Sequence, residues 1–245
     1  MALDIQTLLR IGSTQLAHYD TPRLEAEVLL SHVLSVNRSD LYAWPQQVVS
    51  MAQHHHYQDL LNRRRQGEPV AYLTGQQEFW SLMLQVTPAT LIPRPETEVL
   101  VEQALTRIPL NQQLTLMDLG TGSGAIALAI AGERPQCSVI AIDNVAATLM
   151  IARHNAHRLG LKNIQFVLSD WLSAVATTVA VALIVSNPPY IATQDPHLHD
   201  IRYEPQQALI AGNDGLQALR HIISRAPAYL TSQGWLLVEH GYQQA

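Results

Sequence analysis

One tetrapeptide carries the residue types best suited to chemistry. Asn187-Pro188-Pro189-Tyr190 follows Val181-Ala182-Leu183-Ile184-Val185-Ser186, an almost wholly apolar run with the look of a buried strand. Consecutive prolines stiffen a turn and remove two N–H donors, so carbonyl acceptors dominate there. Asn187 adds a side-chain oxygen acceptor and an amino donor, and Tyr190 offers a flat face for stacking. Such a turn suits a planar NH2 group. An amide or aromatic amino nitrogen is a poor nucleophile because its lone pair is delocalised. Two fixed acceptors, the Asn187 side-chain oxygen and the Pro188 carbonyl, can hold both of its hydrogens. They would aim the nitrogen at an electrophile and stabilise positive charge as it develops. No strong base is needed first if the electrophile is an activated methyl group.

A second stretch reads as a nucleoside-cofactor loop. Leu114–Leu119 has a buried-strand pattern, with Asp118 near its end. Gly120-Thr121-Gly122-Ser123-Gly124 follows at once, and Ala125–Ile130 reads as a helix. Glycines permit the tight turn and let a ligand approach the backbone and the helix N-terminus. Asp143, nineteen residues after Gly124, ends the next strand. An acid there can accept both hydroxyl hydrogens of an adenosine ribose. Gly120, Gly122 and Ala125 also satisfy a nicotinamide fingerprint, so the loop alone leaves two cofactors open. The Asp118 carboxylate leans toward S-adenosylmethionine, whose ammonium and sulfonium groups favour a negative neighbour where a pyrophosphate would not. After the third strand, Asp170 could accept from an adenine amino group and Trp171 could pack near the ring. An ordinary loop aspartate beside a core tryptophan is the plainer alternative.

These residues need strands and helices in a fixed order to bring them together. From residue 115 onward, strands are predicted at 115–119, 138–142, 164–168, 181–186 and 235–239. Helices are predicted at about 124–132, 146–159 and 214–229. That alternation indicates an α/β domain with a parallel sheet covered on both faces, and open sheets of this kind bind ligands at the carboxyl ends of their strands. Residues 1–74 read as a small helical bundle. Ile5, Leu8, Leu9 and Leu16 form one stripe. Thr21-Pro22 would cap a second helix whose inner face is Leu24, Val28, Leu29, Val33 and Leu34. A third helix spans about 50–66, with Tyr57, Leu60 and Leu61 inward. Residues 75–95 form a linker with a hairpin between about 79 and 92, and Pro95 opens the next helix. The second domain is then 96–245.

Bulk properties narrow the function classes. Hydrophobic residues make up 47% of 245, enough for a sizeable core. The formal charge is −5, from 15 Lys+Arg against 20 Asp+Glu, and Arg63-Arg64-Arg65 is the longest basic run. A protein gripping duplex phosphates usually shows a basic stripe, so no direct nucleic-acid substrate is expected. Cys137 is the single cysteine, which excludes an intramolecular disulfide and a multi-cysteine zinc site. A cytoplasmic protein with no membrane partner is expected, and a monomer. His54-His55-His56 cannot converge on one ion, because consecutive helical side chains diverge by ~100°, so no metal site is expected.

The chain resembles the peptide chain release factor glutamine methyltransferases, the PrmC/HemK family, over nearly its whole length. The matching segments are Gly67–Gly75, Leu91-Ile92-Pro93-Arg94-Pro95-Glu96-Thr97-Glu98, Asp118–Gly124 and Ser186–Ile191. The second of these discriminates, because the tetrapeptide also occurs in DNA adenine and RNA guanine methyltransferases. The resemblance implies a Rossmann-like S-adenosylmethionine-dependent domain behind a small N-terminal helical bundle that helps dock the substrate. It implies methyl transfer to N5 of the glutamine in the Gly-Gly-Gln motif of class 1 release factors. Asp118, Gly120, Thr121, Gly122, Ser123, Gly124, Asp143, Asp170, Trp171 and Asn187 would lie at the cofactor. Asn187, Pro188, Pro189 and Tyr190 would hold the glutamine, with Asn187, Pro188 and Tyr190 catalytic, and Arg94 and Glu98 on the substrate-facing wall. Family members continue past the fifth strand through a helix and a closing hairpin, so an end at Ala245 would leave one flank of the sheet bare. Rival readings are a methyltransferase acting on a flipped adenine or guanine and a catalytically silent binding protein.

Overall fold

The apolar stripe at Ile5, Leu8 and Leu9 becomes the inner face of the first helix of a bundle. The computed structural model describes residues 3–244, and the chain divides after Gly75 into two units. In the first unit, α1 (Ile5–Gln15) is capped by Asp4, whose side chain accepts from the Thr7 N–H. α2 is Pro22–Leu34 and α4 is Met51–Arg65. Two short helices that the sequence pattern did not predict, α3 (Arg38–Ala43) and α5 (Val70–Thr74), complete the unit. Ser50 caps α4 with a reciprocal Gln53 contact, a capping box that satisfies two otherwise orphan donors. Tyr57, Leu60 and Leu61 join the buried cluster as expected.

Two expectations about α2 are corrected. Thr21 occupies the cap position with proline after it but makes no side-chain cap bond. The inner face is only partly the expected one: Leu29 is buried and Val33 and Leu34 pack against the core, but Leu24 is exposed, and Ala26, Glu27, Leu30 and Ser31 are buried beside Leu29. Glu27 can be buried because Arg23, Arg38 and Tyr42 all donate to its carboxylate, and a buried charge needs such partners. A hydrophobicity pattern cannot anticipate an inward glutamate.

The second unit opens with an antiparallel hairpin, β1 (Gln76–Phe79) and β2 (Leu82–Gln85), earlier and shorter than the predicted 79–92. A short 3-10 turn from Pro95 leads into α6 (Glu98–Arg107). Then come β3 (Thr115–Leu119), α7 (Ala125–Glu133), β4 (Ser138–Asp143), α8 (Ala146–Arg158), β5 (Ile164–Leu168), β6 (Val181–Ser186), α9 (Gln217–Arg225) and β7 (Leu230–Val238). β7 starts five residues before the predicted strand and pairs with β6 through a register irregularity between Val181 and Leu183.

The five strands form a parallel sheet in the order β5-β4-β3-β6-β7. Successive residues of a strand face opposite sides. Leu116, Val139, Ala141, Leu183 and Val185 enter a core with α6, α7 and α8. Met117, Ile142 and Ile184 enter a second core with Ile222 of α9, Ala226 and Tyr229. Both faces of the central strands are therefore covered, which explains why β3, β4 and β6 read as continuous apolar runs. The chain leaves β3 toward the α7 face and leaves β6 toward the α9 face. β3 and β6 are neighbours, so their carboxyl ends flank the topological switch point, the crevice where open sheets of this type bind ligands.

Candidate active site

Both motif turns begin at that switch point. Gly120, Gly122 and Gly124 have φ of +73°, +57° and +89°, a region that L side chains rarely adopt. The Gly120 and Thr121 N–H groups both donate to the Ile142 carbonyl at 2.9 Å, which ties the loop to the end of β4. A Cβ on Gly122 would meet nothing within 4 Å, whereas one on Gly124 would strike Leu128 Cδ1 at 2.8 Å. Gly122 thus leaves room for a ligand, and Gly124 allows close packing with its own helix.

A cleft of ≈ 660 Å³ opens in front of the loop. Gly120, Gly122, Asp143, Trp171 and Asn187, all expected at the cofactor, line it, together with Ala89, Leu91, Val145, Ser169, Pro205 and Gln207. Asp143 Oδ2 accepts from Gly122 N at 3.0 Å and Oδ1 from Val145 N at 3.0 Å. Burial pushes the Asp143 carboxyl above its ordinary range, against these backbone donors. Each oxygen keeps a second lone pair for a ligand hydroxyl. Trp171, at φ +50°, places its indole 3.7 Å from where a Gly120 Cβ would stand.

Several sequence assignments fall elsewhere. Asp118 lies beneath the loop, and the loop residues Thr121, Ser123 and Gly124 are buried and not in the cleft wall. Asp118 is fully buried; Oδ2 accepts from Thr121 Oγ1 at 2.7 Å and from Ala127 N at 3.2 Å, and Oδ1 has no partner. Burial raises its carboxyl from 3.8 to about 7. Asp170 is exposed and off the cleft, where Ser169 takes its expected place. Glu98 is not in the cleft wall; its Oε1 accepts from Trp80 N at 2.9 Å and so closes the β1–β2 turn. That turn sets Trp80 and Ser81 at positive φ without glycine, so a carboxylate on its exposed N–H is a structural support.

A second cavity, ≈ 490 Å³, adjoins the first. It is lined by Arg94, Asn187, Pro188, Tyr190, Ile191 and Ile201, with Leu91, Ala208 and Leu209. Asn187, Leu91 and Ala208 belong to both cavities, so Asn187 stands in the wall between them. Pro189 faces the first cavity, and Pro188 and Tyr190 the second. Arg94 is paired with Glu204, which is buried and also accepts from Ile92 N at 3.1 Å. Its guanidinium is thereby pinned to the wall.

Behind Asn187 lies a polar chain that the motif reading missed. Asn187 Nδ2 donates to Thr97 Oγ1 at 3.0 Å, and Thr97 Oγ1 donates to Glu239 Oε2 at 2.8 Å. Tyr190 Oη lies 3.5 Å from Glu239 Oε1. Burial raises the Glu239 carboxyl, opposed by bonds from Thr97, Asn187 and Tyr190 and reinforced by Glu96. Asn155 is another omission: its amide bonds Gln85 N, Gln85 O and Ser123 O, joining the hairpin to the glycine loop. The only sequence signal for either group is a polar residue at the end of an apolar run or on a buried helix face.

The cleft suits S-adenosylmethionine on three counts: open space over Gly122, a carboxylate on its wall, and the acid Asp118, one oxygen of which has no partner, directly under the loop. Among the described residues no group of three or more His, Cys, Asp or Glu could hold a metal ion, and no helix is long and apolar enough to cross a membrane.

The likeness to known proteins follows the same division. Residues 7–75 match the model of the PrmC N-terminal domain, and residues 95–243 match that of the methyltransferase small domain. The chain is 50% identical over 244 residues to the release factor glutamine methyltransferase of Escherichia coli (strain K12), covering 99% of this chain and 87% of that protein. The protein of the same name from Coxiella burnetii is 51% identical over 225 residues, covering 92% and 81%. Among solved structures, the Thermus thermophilus 16S rRNA N2 G1207 methyltransferase (RsmC) in complex with AdoMet and guanosine superposes with a TM-score of 0.50 at 21% identity. It covers 66% of this chain and 40% of that one, and shows a shared Rossmann-like methyltransferase fold. With both of its units matched and half of its residues shared with these relatives, the chain belongs to the release factor glutamine methyltransferase family.

Proposed function

We propose that this protein transfers a methyl group from S-adenosylmethionine to the side-chain amide nitrogen of the glutamine in the Gly-Gly-Gln motif of class 1 release factors. Family membership supports the reaction. The observation that carries the reading is the position of Asn187 in the wall shared by two cavities, one lined by Gly120, Gly122, Asp143 and Trp171 and the other by Arg94, Pro188 and Tyr190.

S-adenosylmethionine, when bound, supplies a methyl group on a sulfonium, which leaves as a neutral thioether. The chain supplies position and electrostatics. Asn187 Oδ1 and the Pro188 carbonyl accept the two amide hydrogens and aim the nitrogen across the wall. As the N–C bond forms, those acceptors stabilise the growing charge, and the proton made acidic by methylation passes to solvent. Tyr190 stacks on the amide plane. Asp143 accepts from the ribose hydroxyls, Trp171 covers the base, and Asp118 places negative charge beneath the loop. Arg94, held by Glu204, forms the outer wall of the acceptor cavity, and the N-terminal helical unit helps to dock the release factor. The same reading takes the protein as a cytoplasmic monomer without a nucleic-acid substrate, in keeping with its −5 charge.

Mass spectrometry of candidate release factors after incubation with protein and cofactor tests this. A gain of one methylene on the peptide carrying Gly-Gly-Gln is expected. Methylation of an adenine or guanine instead, or cofactor binding with no turnover on any release factor, would overturn the assignment.

A further inference from the structure

Asn187 can present either an oxygen or an amino group to the acceptor cavity, because its amide is nearly symmetric in shape. Only the oxygen can hold an amide hydrogen, so the reading of Asn187 above requires one orientation of two. We propose that Thr97 and Glu239 are positioning residues that choose it: a one-way hydrogen-bond chain consumes the Asn187 amino group and leaves its oxygen for the substrate.

The direction of the chain follows from what each group can do. An ionised glutamate only accepts. Thr97 has one hydroxyl hydrogen, and it is committed to Glu239 Oε2 at 2.8 Å. Thr97 Oγ1 can then offer Asn187 only a lone pair, and it receives Nδ2 at 3.0 Å. Turning the amide over would set Oδ1 against that lone pair, two acceptors face to face. Thr97 is 4% exposed, and a buried unmatched pair is costly. The two residues come from distant parts of the chain. Thr97 lies in the turn that opens α6, and Glu239 follows β7 with its N–H on the Ser186 carbonyl. That last bond ties the carboxylate's backbone to the residue before Asn187. Tyr190 Oη lies 3.5 Å from the other Glu239 oxygen, so the same carboxylate reaches one end of the tetrapeptide through Thr97 and approaches the other directly.

Steady-state kinetics on a release factor, with Thr97→Val, Thr97→Ser and Glu239→Gln beside Asn187→Ala, tests the inference. Groups that orient a site ligand from behind are commonly worth about 10- to 100-fold in activity. Thr97→Val should lower kcat by about that factor, with KM and cofactor affinity within about twofold, and Thr97→Ser should restore most of the loss. Glu239→Gln keeps the shape but can donate to Thr97, freeing the hydroxyl to donate to a reversed Asn187, and should lower kcat in the same way. Adding Thr97→Val to Asn187→Ala should cost almost nothing further, because Thr97 acts through Asn187. If the two losses multiply, or Thr97→Val turns over normally while Asn187→Ala is crippled, the orienting chain is refuted and the role of Asn187 stands. If Asn187→Ala itself turns over normally, the underlying reading of the site fails as well.

Discussion

Asp118→Asn separates the two things this buried acid does. In the folded chain its carboxyl takes up protons up to about pH 7, against 3.8 for an ordinary aspartate. Burial is the main cause, opposed by Thr121 and the Ala127 N–H. Between those two values the folded protein holds a proton that the unfolded chain has already released. Stability therefore falls as pH rises through that window and levels off above it. Three pKa units correspond to about 4 kcal/mol in full, at ~1.4 kcal/mol per unit, as an upper limit. Between pH 5 and pH 8 the expected share is about 2–3 kcal/mol. Asparagine keeps the accepting oxygen for Thr121 and Ala127, places a neutral NH2 where Oδ1 has no partner, and titrates nowhere in this range. Urea unfolding of the ligand-free protein at pH 5 and pH 8 should show the variant gaining about 2–3 kcal/mol on the wild type between the two. Calorimetry at pH 8 should show the opposite sign for function, with S-adenosylmethionine bound about tenfold more weakly once the carboxylate is gone. Parallel pH profiles for variant and wild type, with unchanged cofactor affinity, would refute the reasoning.

Asp143→Ala removes the cleft-wall carboxylate and should weaken S-adenosylmethionine binding by on the order of 30-fold, the worth of charged hydrogen bonds; titration calorimetry reads this directly, and an unchanged Kd would take Asp143 out of the site. Asn155→Leu strands three backbone groups, the part-buried Gln85 N and Gln85 O and the buried Ser123 O. It should cost about 3–5 kcal/mol in chemical unfolding, and a loss below about 1 kcal/mol would mean the hairpin and glycine loop do not depend on that bridge.

The legible parts of this molecule are those governed by short-range rules. The strands at 115–119 and 181–186 read correctly because residues buried on both faces give continuous apolar runs, and the half-exposed edge strand at 164–168 reads correctly from its β-branched and aromatic residues. The glycine loop and Asn187–Tyr190 could be placed because switch-point turns follow such strands. Asp118 was read as a cofactor contact because it adjoins the loop in sequence. It points under the loop because side chains alternate along β3 while Leu119 faces the other core. Glu98 was drawn toward the substrate by its motif, but three-dimensional proximity gives it to the hairpin turn at Trp80. That turn lacks the Asn-Gly pair by which such hairpins announce themselves, which is also why its boundaries were misplaced. Thr97 meets Asn187 across 90 residues of sequence, Glu204 meets Ile92 across 112 and Glu239 meets Thr97 across 142, and no local pattern encodes such pairings.

The central claim is geometric: the wall at Asn187 separates a cofactor from the amide it methylates. A crystal structure with S-adenosylhomocysteine tests it most directly. The account predicts adenine against Trp171, ribose on Asp143, and the sulfur directed past Asn187 into the cavity lined by Pro188, Tyr190 and Arg94. A sulfur turned away from Asn187, with that second cavity out of line, would contradict it.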